Sequence, residues 1–128
     1  MKRFNILVVD DDPNVVQALR RGFTKVGAIV ETATDGLQCV TIALEKWACD
    51  EIFDAIILDL RMPGLDGLTV SRTLRAEGYP GLIICLSGEL HRSCAVESWS
   101  AGMDSHMCKP ASVEEILDTI ANCLLLDN

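Results

Sequence analysis

The chain has 128 residues, enough for one domain around a single core, and its 49 % hydrophobic and 23 % charged composition excludes a disordered polymer. A net charge of −8 argues against a general nucleic-acid or membrane surface, because both need a basic patch. No apolar run approaches the ~20 residues that cross a bilayer. The basic start MKRF leads into a run that stops at Val9, too short for a signal peptide, so a cytoplasmic location is expected.

The first element in chain order is Asn5–Val9, an apolar run that is continuous rather than alternating, as in a strand buried on both faces. A helix follows in DPNVVQALRRGFTKVG. Asp12 suits its N-cap and Pro13 its first turn, where a missing N–H costs nothing. Val16, Leu19, Phe23 and Val26 form its apolar stripe, and Gly27 stops it. Ala28–Ala33 is a second strand, placed at a sheet edge by Glu31. Leu37–Ala48 is a second helix, and the stretch ALEKWACDEIFDA lengthens it or its exit loop. Ala55–Leu58 and Leu82–Leu86 are continuous strands with a helix, Leu68–Ala76, between them. A fourth helix covers Leu90–Ser100 and ends at Gly102, and Ser105–Cys108 is a strand by position. The last helix opens on the capping box Ser112-Val113-Glu114-Glu115, with Val113, Ile116, Leu117, Ile120 and Leu124 along one face. The six cysteines contain no C-x-x-C pair; Cys85 and Cys108 sit in apolar stretches as core thiols, and all six read as structural thiols of a reducing compartment rather than metal or redox groups. Strand and helix alternating five times over residues 1–128, without linker or repeat, predict one α/β domain with an open parallel sheet.

In such a sheet, ligands bind beyond the carboxyl ends of the strands. Asp10, Asp11 and Asp12 follow the first strand, Asp59 the third, Ser87 the fourth and Lys109 the fifth. Each alone has an ordinary role as turn residue, cap or solvated charge; Asp12 is assigned to capping and Asp54, at the opposite edge, to structure. Their joint placement after four of five strands is what points to chemistry. Acids packed together repel unless a cation neutralises them, and an all-oxygen donor set suits Mg2+. A metal, a hydroxyl and an ammonium together can hold a phosphoryl group. Asp59 is the expected nucleophile, fixed by a rigid strand and given space by the glycine-rich segment after it.

The motifs ILVVDDD, IILDLRMPGLDG, IICLSG and AGMDSHMCKP, in this order, resemble the receiver domain of two-component response regulators over essentially the whole chain. The last is also reminiscent of receivers fused to hybrid histidine kinases. The resemblance implies a (βα)5 flavodoxin-like three-layer sandwich with sheet order 2-1-3-4-5. It implies that Asp10 and Asp11 hold Mg2+, with Asp11 the more direct ligand, joined by Asp59 and the Arg61 backbone carbonyl. Asp59 would accept the phosphoryl group, Ser87 would bond one of its oxygens, and Lys109 would pair with it beside a cis Lys109–Pro110 bond. The donor would be a sensor histidine kinase or a histidine phosphotransfer protein. The output would be an effector protein, or a second copy of the chain, on the face formed by the fourth helix, fifth strand and fifth helix. The domain would catalyse only its own phosphorylation and dephosphorylation, without being a turnover enzyme.

His106 and the length of the stretch ALEKWACDEIFDA depart from the common pattern, and a separate inference concerns Arg61 and Glu89. His106 occupies the place, three residues before the lysine, where the family often carries the Tyr or Phe that turns inward with the hydroxyl residue. It is either a satisfied structural histidine or the partner of Ser87 in a more polar switch. Arg61 and Glu89, two residues after Asp59 and Ser87 respectively, flank the site entrance. An ion pair there would hinder an attacking water, whereas a solvated pair would do little. The competing function is a Mg2+-dependent phosphohydrolase with Asp10 as nucleophile in the D-x-D of Asp10 and Asp12. Pro13 and the lack of room for a cap domain oppose it. A non-phosphorylated scaffold is opposed by the complete set of acids, hydroxyl and lysine.

Overall fold

The computed structural model describes residues 3–88 and 92–126. Its elements are β1 (Asn5–Val9), α1 (Pro13–Lys25), β2 (Ile29–Ala33), α2 (Gly36–Ala48), β3 (Ala55–Leu58), α3 (Gly67–Ala76), β4 (Leu82–Ser87), α4 (Arg92–Ser100), β5 (Ser105–Cys108) and α5 (Val113–Leu126). The strands pair in parallel in the order β2-β1-β3-β4-β5.

Strand parity builds two cores. Leu7, Val9, Ile56, Leu58, Ile83 and Cys85 pack with Cys39 and Ala43 of α2 and with Val70 and Leu74 of α3. Ile6, Val8, Ile57, Ile84 and Leu86 face the other way, onto Val16, Leu19 and Phe23 of α1 and Ile116 and Ile120 of α5. A strand covered on both faces leaves no position for a polar side chain, which is why these runs are continuous in sequence. Each such Leu or Ile contributes roughly 1.5–3 kcal/mol on full burial.

Side-chain acceptors start the helices at the carboxyl edge of the sheet. Asp12 accepts from the Asn14 N–H at 2.9 Å, Asp35 from Gln38 at 2.8 Å and Asp66 from Thr69 at 2.8 Å. Ser112 and Glu115 exchange bonds at 3.1 and 3.2 Å, the expected capping box. At the opposite edge the Asp54 carboxylate accepts from the Asn5 N–H at 2.7 Å, a structural role.

Some expectations shift. Val26 is not on the α1 stripe: the helix ends at Lys25, and Val26 is its 52 % exposed C-cap with its N–H returned to Phe23. The edge strand β2 starts at Ile29, one residue late, and alternates exposed with half-buried residues up to its buried end, Ala33, because Val30 packs into the core beside α1 while Ile29 and Glu31 face outward. β4 runs one residue further, carrying Ser87 within the strand. The long stretch after β2 extends α2 to Ala48 and then turns through Asp50, whose φ is +63°. The expected start of the fourth helix at Leu90, and Glu89, lie outside the described residues.

Candidate functional site

β1 and β3 are sheet neighbours with Val9 opposite Leu58, so Asp10 and Asp59 emerge side by side. Backbone bonds carry the ladder one step past the strands: Asp59 N–H donates to Val9 at 2.9 Å and Asp10 N–H to Ala33 at 3.2 Å. Both side chains are buried while Asp11 is exposed, and one oxygen of each of the three lies within 4.8 Å of the others. β5 brings in Lys109, whose N–H donates to the Ser87 carbonyl at 2.8 Å, and buried Ser87 ends β4. The Lys109 ammonium lies 2.7 Å from Asp10 Oδ2 and 3.5 Å from Asp59 Oδ1. Asp10 Oδ1 accepts from the Asp12 N–H at 2.9 Å, so both Asp10 oxygens are engaged. The Lys109–Pro110 peptide bond is cis.

The electrostatics follow from this crowding. Burial pushes the Asp59 carboxyl up from 3.8 to about 6, and the charge of Asp10 pushes the same way; Lys109 and a hydrogen bond from the Arg61 backbone pull it back only partly. Burial alone would lower the Lys109 ammonium, but its hydrogen bond to Asp10 and the charges of Asp59 and Asp10 outweigh this, and its pKa is raised. One lysine therefore serves two buried carboxylates with a third beside them, a donor set short of positive charge. Three clustered carboxylate oxygens on a rim open to water suit a hard divalent cation that keeps part of its hydration shell.

The loop after β3 is shaped by Gly67. Its N–H donates to Leu60 at 3.0 Å, and a Cβ there would strike the Asp59 carbonyl oxygen and press on Leu60 Cα. The loop can fold back beneath Asp59 only because this residue has no side chain. Sequence reasoning treated the glycine-rich segment only as general space; the repeated Gly in PGLDG was the available signal.

The exposed Arg61 lines, with Asp66 and Glu97, a groove of about 500 Å3 between this loop and α4. Glu97 was not picked out from the sequence, since nothing local brings a mid-helix acid to the loop. His106 pairs in register with Cys85, on the sheet face that α3 covers. Both of its ring nitrogens are buried, and neither has a hydrogen-bond partner among the described residues. A hydrogen-bonded structural histidine is thus not what the described residues provide. Described cysteines are free thiols, and burial pushes Cys39 up to about 12, as expected of a core residue.

A parallel (βα)5 sheet with an acidic cluster and a lysine at its carboxyl edge is the plan of a receiver module of two-component signalling. The chain belongs to the response regulator receiver domain family, whose model matches residues 6–121. It is 44 % identical over 112 residues to the response regulator MprA of Mycobacterium ulcerans, an alignment covering 88 % of this chain and 46 % of that one. The chain thus spans about half the length of the curated relatives it matches. Its fold is similar to that of chemotaxis protein CheY4 of Vibrio cholerae, with a TM-score of 0.85, 27 % identity and coverage of 95 % and 99 % of the two chains. It is also similar to a Burkholderia pseudomallei response regulator that holds a phosphorylated aspartic acid, a calcium ion and citrate. There the TM-score is 0.81 at 28 % identity, covering 97 % of this chain and 71 % of that one. Phosphorylation on an aspartate is the expected function of such a domain, and the phosphohydrolase alternative is not favoured. No helix among the described residues is long and apolar enough to cross a membrane.

Proposed function

We propose that Asp59 accepts a phosphoryl group from the phosphohistidine of a sensor histidine kinase or a histidine phosphotransfer protein, within a single receiver unit spanning residues 1–128. The observation that carries this reading is a buried carboxylate at a strand end that shares one ammonium with Asp10, 2.7 Å from Asp10 and 3.5 Å from Asp59. An Asp59 oxygen attacks phosphorus in line; the new O–P bond forms as the donor's N–P bond breaks, and the imidazole leaves with the electron pair. Asp10, Asp11, Asp59 and the Arg61 carbonyl would hold Mg2+, which when bound supplies positive charge to the carboxylates and to the phosphoryl oxygens. Lys109 moves from Asp10 towards the new dianion, and the Ser87 hydroxyl donates to one of its oxygens.

The acquired charge shifts the balance between two arrangements of Ser87, His106 and the α4–β5–α5 face, which then binds an effector or a second copy of the chain. Hydrolysis of the acyl phosphate by the domain itself resets it, and the exposed Arg61 side chain slows that water. The test is intact mass after incubation with Mg2+ and a small acyl-phosphate donor. One phosphoryl group on the wild type and none on Asp59→Asn is the expected result; a mutant labelled as well as the wild type would refute Asp59 as acceptor. An Arg61→Ala variant that dephosphorylates at the wild-type rate would remove the gating role.

A further inference from the structure

The end of α4 furthest from the phosphoryl site is bolted to its neighbours. Arg75, in the last turn of α3, donates through Nε to the Gly102 carbonyl at 2.9 Å, and through one terminal nitrogen to the Tyr79 and Gly81 carbonyls at 2.7 and 2.9 Å. Its other terminal nitrogen meets Asp104 Oδ2 at 2.8 Å, and the same oxygen accepts from the Ile83 N–H at 2.8 Å. The fully buried Ser71 hydroxyl adds a bond to the Ala101 carbonyl at 2.7 Å. α3, the α3–β4 loop and the α4–β5 turn thus meet on one guanidinium, a rigid planar fork with several donors at fixed angles. Ala101 and Met103 are almost fully buried within this joint, and Gly102 sits at φ +87°, where its absent Cβ would lie 2.6 Å from the Arg75 side chain.

The opposite end of α4, at Arg92, lies in sequence just after Ser87 on the phosphoryl rim. We infer that the Arg75–Asp104 clamp is the pivot about which α4 tilts, so that a change at Ser87 becomes rotation of the helix rather than sliding. This deepens the proposed phosphorylation reading and rests on it for the driving event. Nine residues of helix are about 14 Å long, so a tilt of about 10° moves the Arg92 end by about 2 Å and the clamped end hardly at all. The exposed side chains of Val96 and Trp99 on α4 would turn with it while staying at the surface.

Hydrogen exchange read amide by amide tests the pivot first without phosphorylation, so that its failure is separable from failure of the Asp59 reading. In the unphosphorylated wild type, the amides of Ala101, Gly102, Met103 and Asp104 are expected to exchange more slowly than those of residues 94–97. Arg75→Gln or Asp104→Asn should speed the first group by about ten- to a hundred-fold, the worth of a charge-assisted hydrogen bond, with a smaller effect in the second. Arg75→Lys should not restore protection, since one ammonium cannot reach the four acceptors. In wild type carrying one phosphoryl group by mass, exchange should change at residues 92–97 and stay constant at 101–104; in Arg75→Gln the change should spread to 101–104. Equal exchange at both ends of α4 in the unphosphorylated protein, or an equal phosphorylation response at both ends of the wild type, overturns the pivot. Absence of any phosphoryl group on the wild type overturns the Asp59 reading and leaves the pivot to the unphosphorylated gradient.

Discussion

Replacing Asp59 by Asn should make the metal-free protein more stable at neutral pH, although it abolishes the proposed acceptor. The folded protein holds the Asp59 carboxyl at about 6, against 3.8 for the ordinary group. The protonated form is therefore the one that folding favours: the carboxylate costs little stability below about 3.8 and its full penalty above about 6. Moving a carboxyl over that interval corresponds to about 3 kcal/mol. The rim is open to water on one side, and screening reduces this to about 1–2 kcal/mol. Asn keeps the shape and can still accept from the Arg61 backbone. Urea unfolding with a chelator present should thus give Asp59→Asn a gain of about 1–2 kcal/mol at pH 7.5, or roughly 3–8 °C in Tm. The gain should shrink to about a third of that at pH 4.5, where only the unfolded chain still ionises the carboxyl, and vanish below about 3.8. Added Mg2+ should stabilise the wild type more than the variant and narrow the difference. A variant less stable than wild type at pH 7.5 without metal, or a gain equal at both pH values, would refute this account of the site.

Lys109→Met removes the ammonium that pairs with both Asp10 and Asp59, so the metal-free protein should lose about 2–4 kcal/mol at pH 7.5 and regain more on adding Mg2+ than wild type does, both read from urea midpoints. Gly67→Ala places a methyl against the Asp59 carbonyl and Leu60; a cost of about 1–3 kcal/mol and slower phosphoryl uptake by mass should follow, and wild-type values for both would contradict the close approach. Tyr79→Phe strips the hydroxyl that accepts from the Phe53 N–H at 3.2 Å and orphans a buried donor, so thermal unfolding should show a loss of about 1–2 kcal/mol.

Much of the fold was legible because it is written in local signals. The continuous runs in β1, β3 and β4 needed no partner to be read as doubly covered strands, and Asp12 with Pro13 or Ser112 with Glu115 announce helix starts through bonds within a few residues. The weakly apolar β5 was placed by its rank in the alternation, and Val26 was misplaced because a stripe does not say where a helix stops.

Which residues stand at the carboxyl edge follows from the order of strands along the chain, because strand direction in a parallel sheet puts Asp10, Asp59, Ser87 and Lys109 at the same ends of their strands. How they share charge is settled by the assembled fold: Lys109 bonds Asp10 more closely than Asp59, burial raises the Asp59 carboxyl to about 6, and both nitrogens of His106 are buried with no partner among the described residues. It also decided that Arg75 would gather Gly102, Tyr79, Gly81 and Asp104 onto one guanidinium. Periodicity and capping act over a few residues along the chain, whereas desolvation and ion pairing depend on distances between atoms that the chain brings together only when the sheet is assembled.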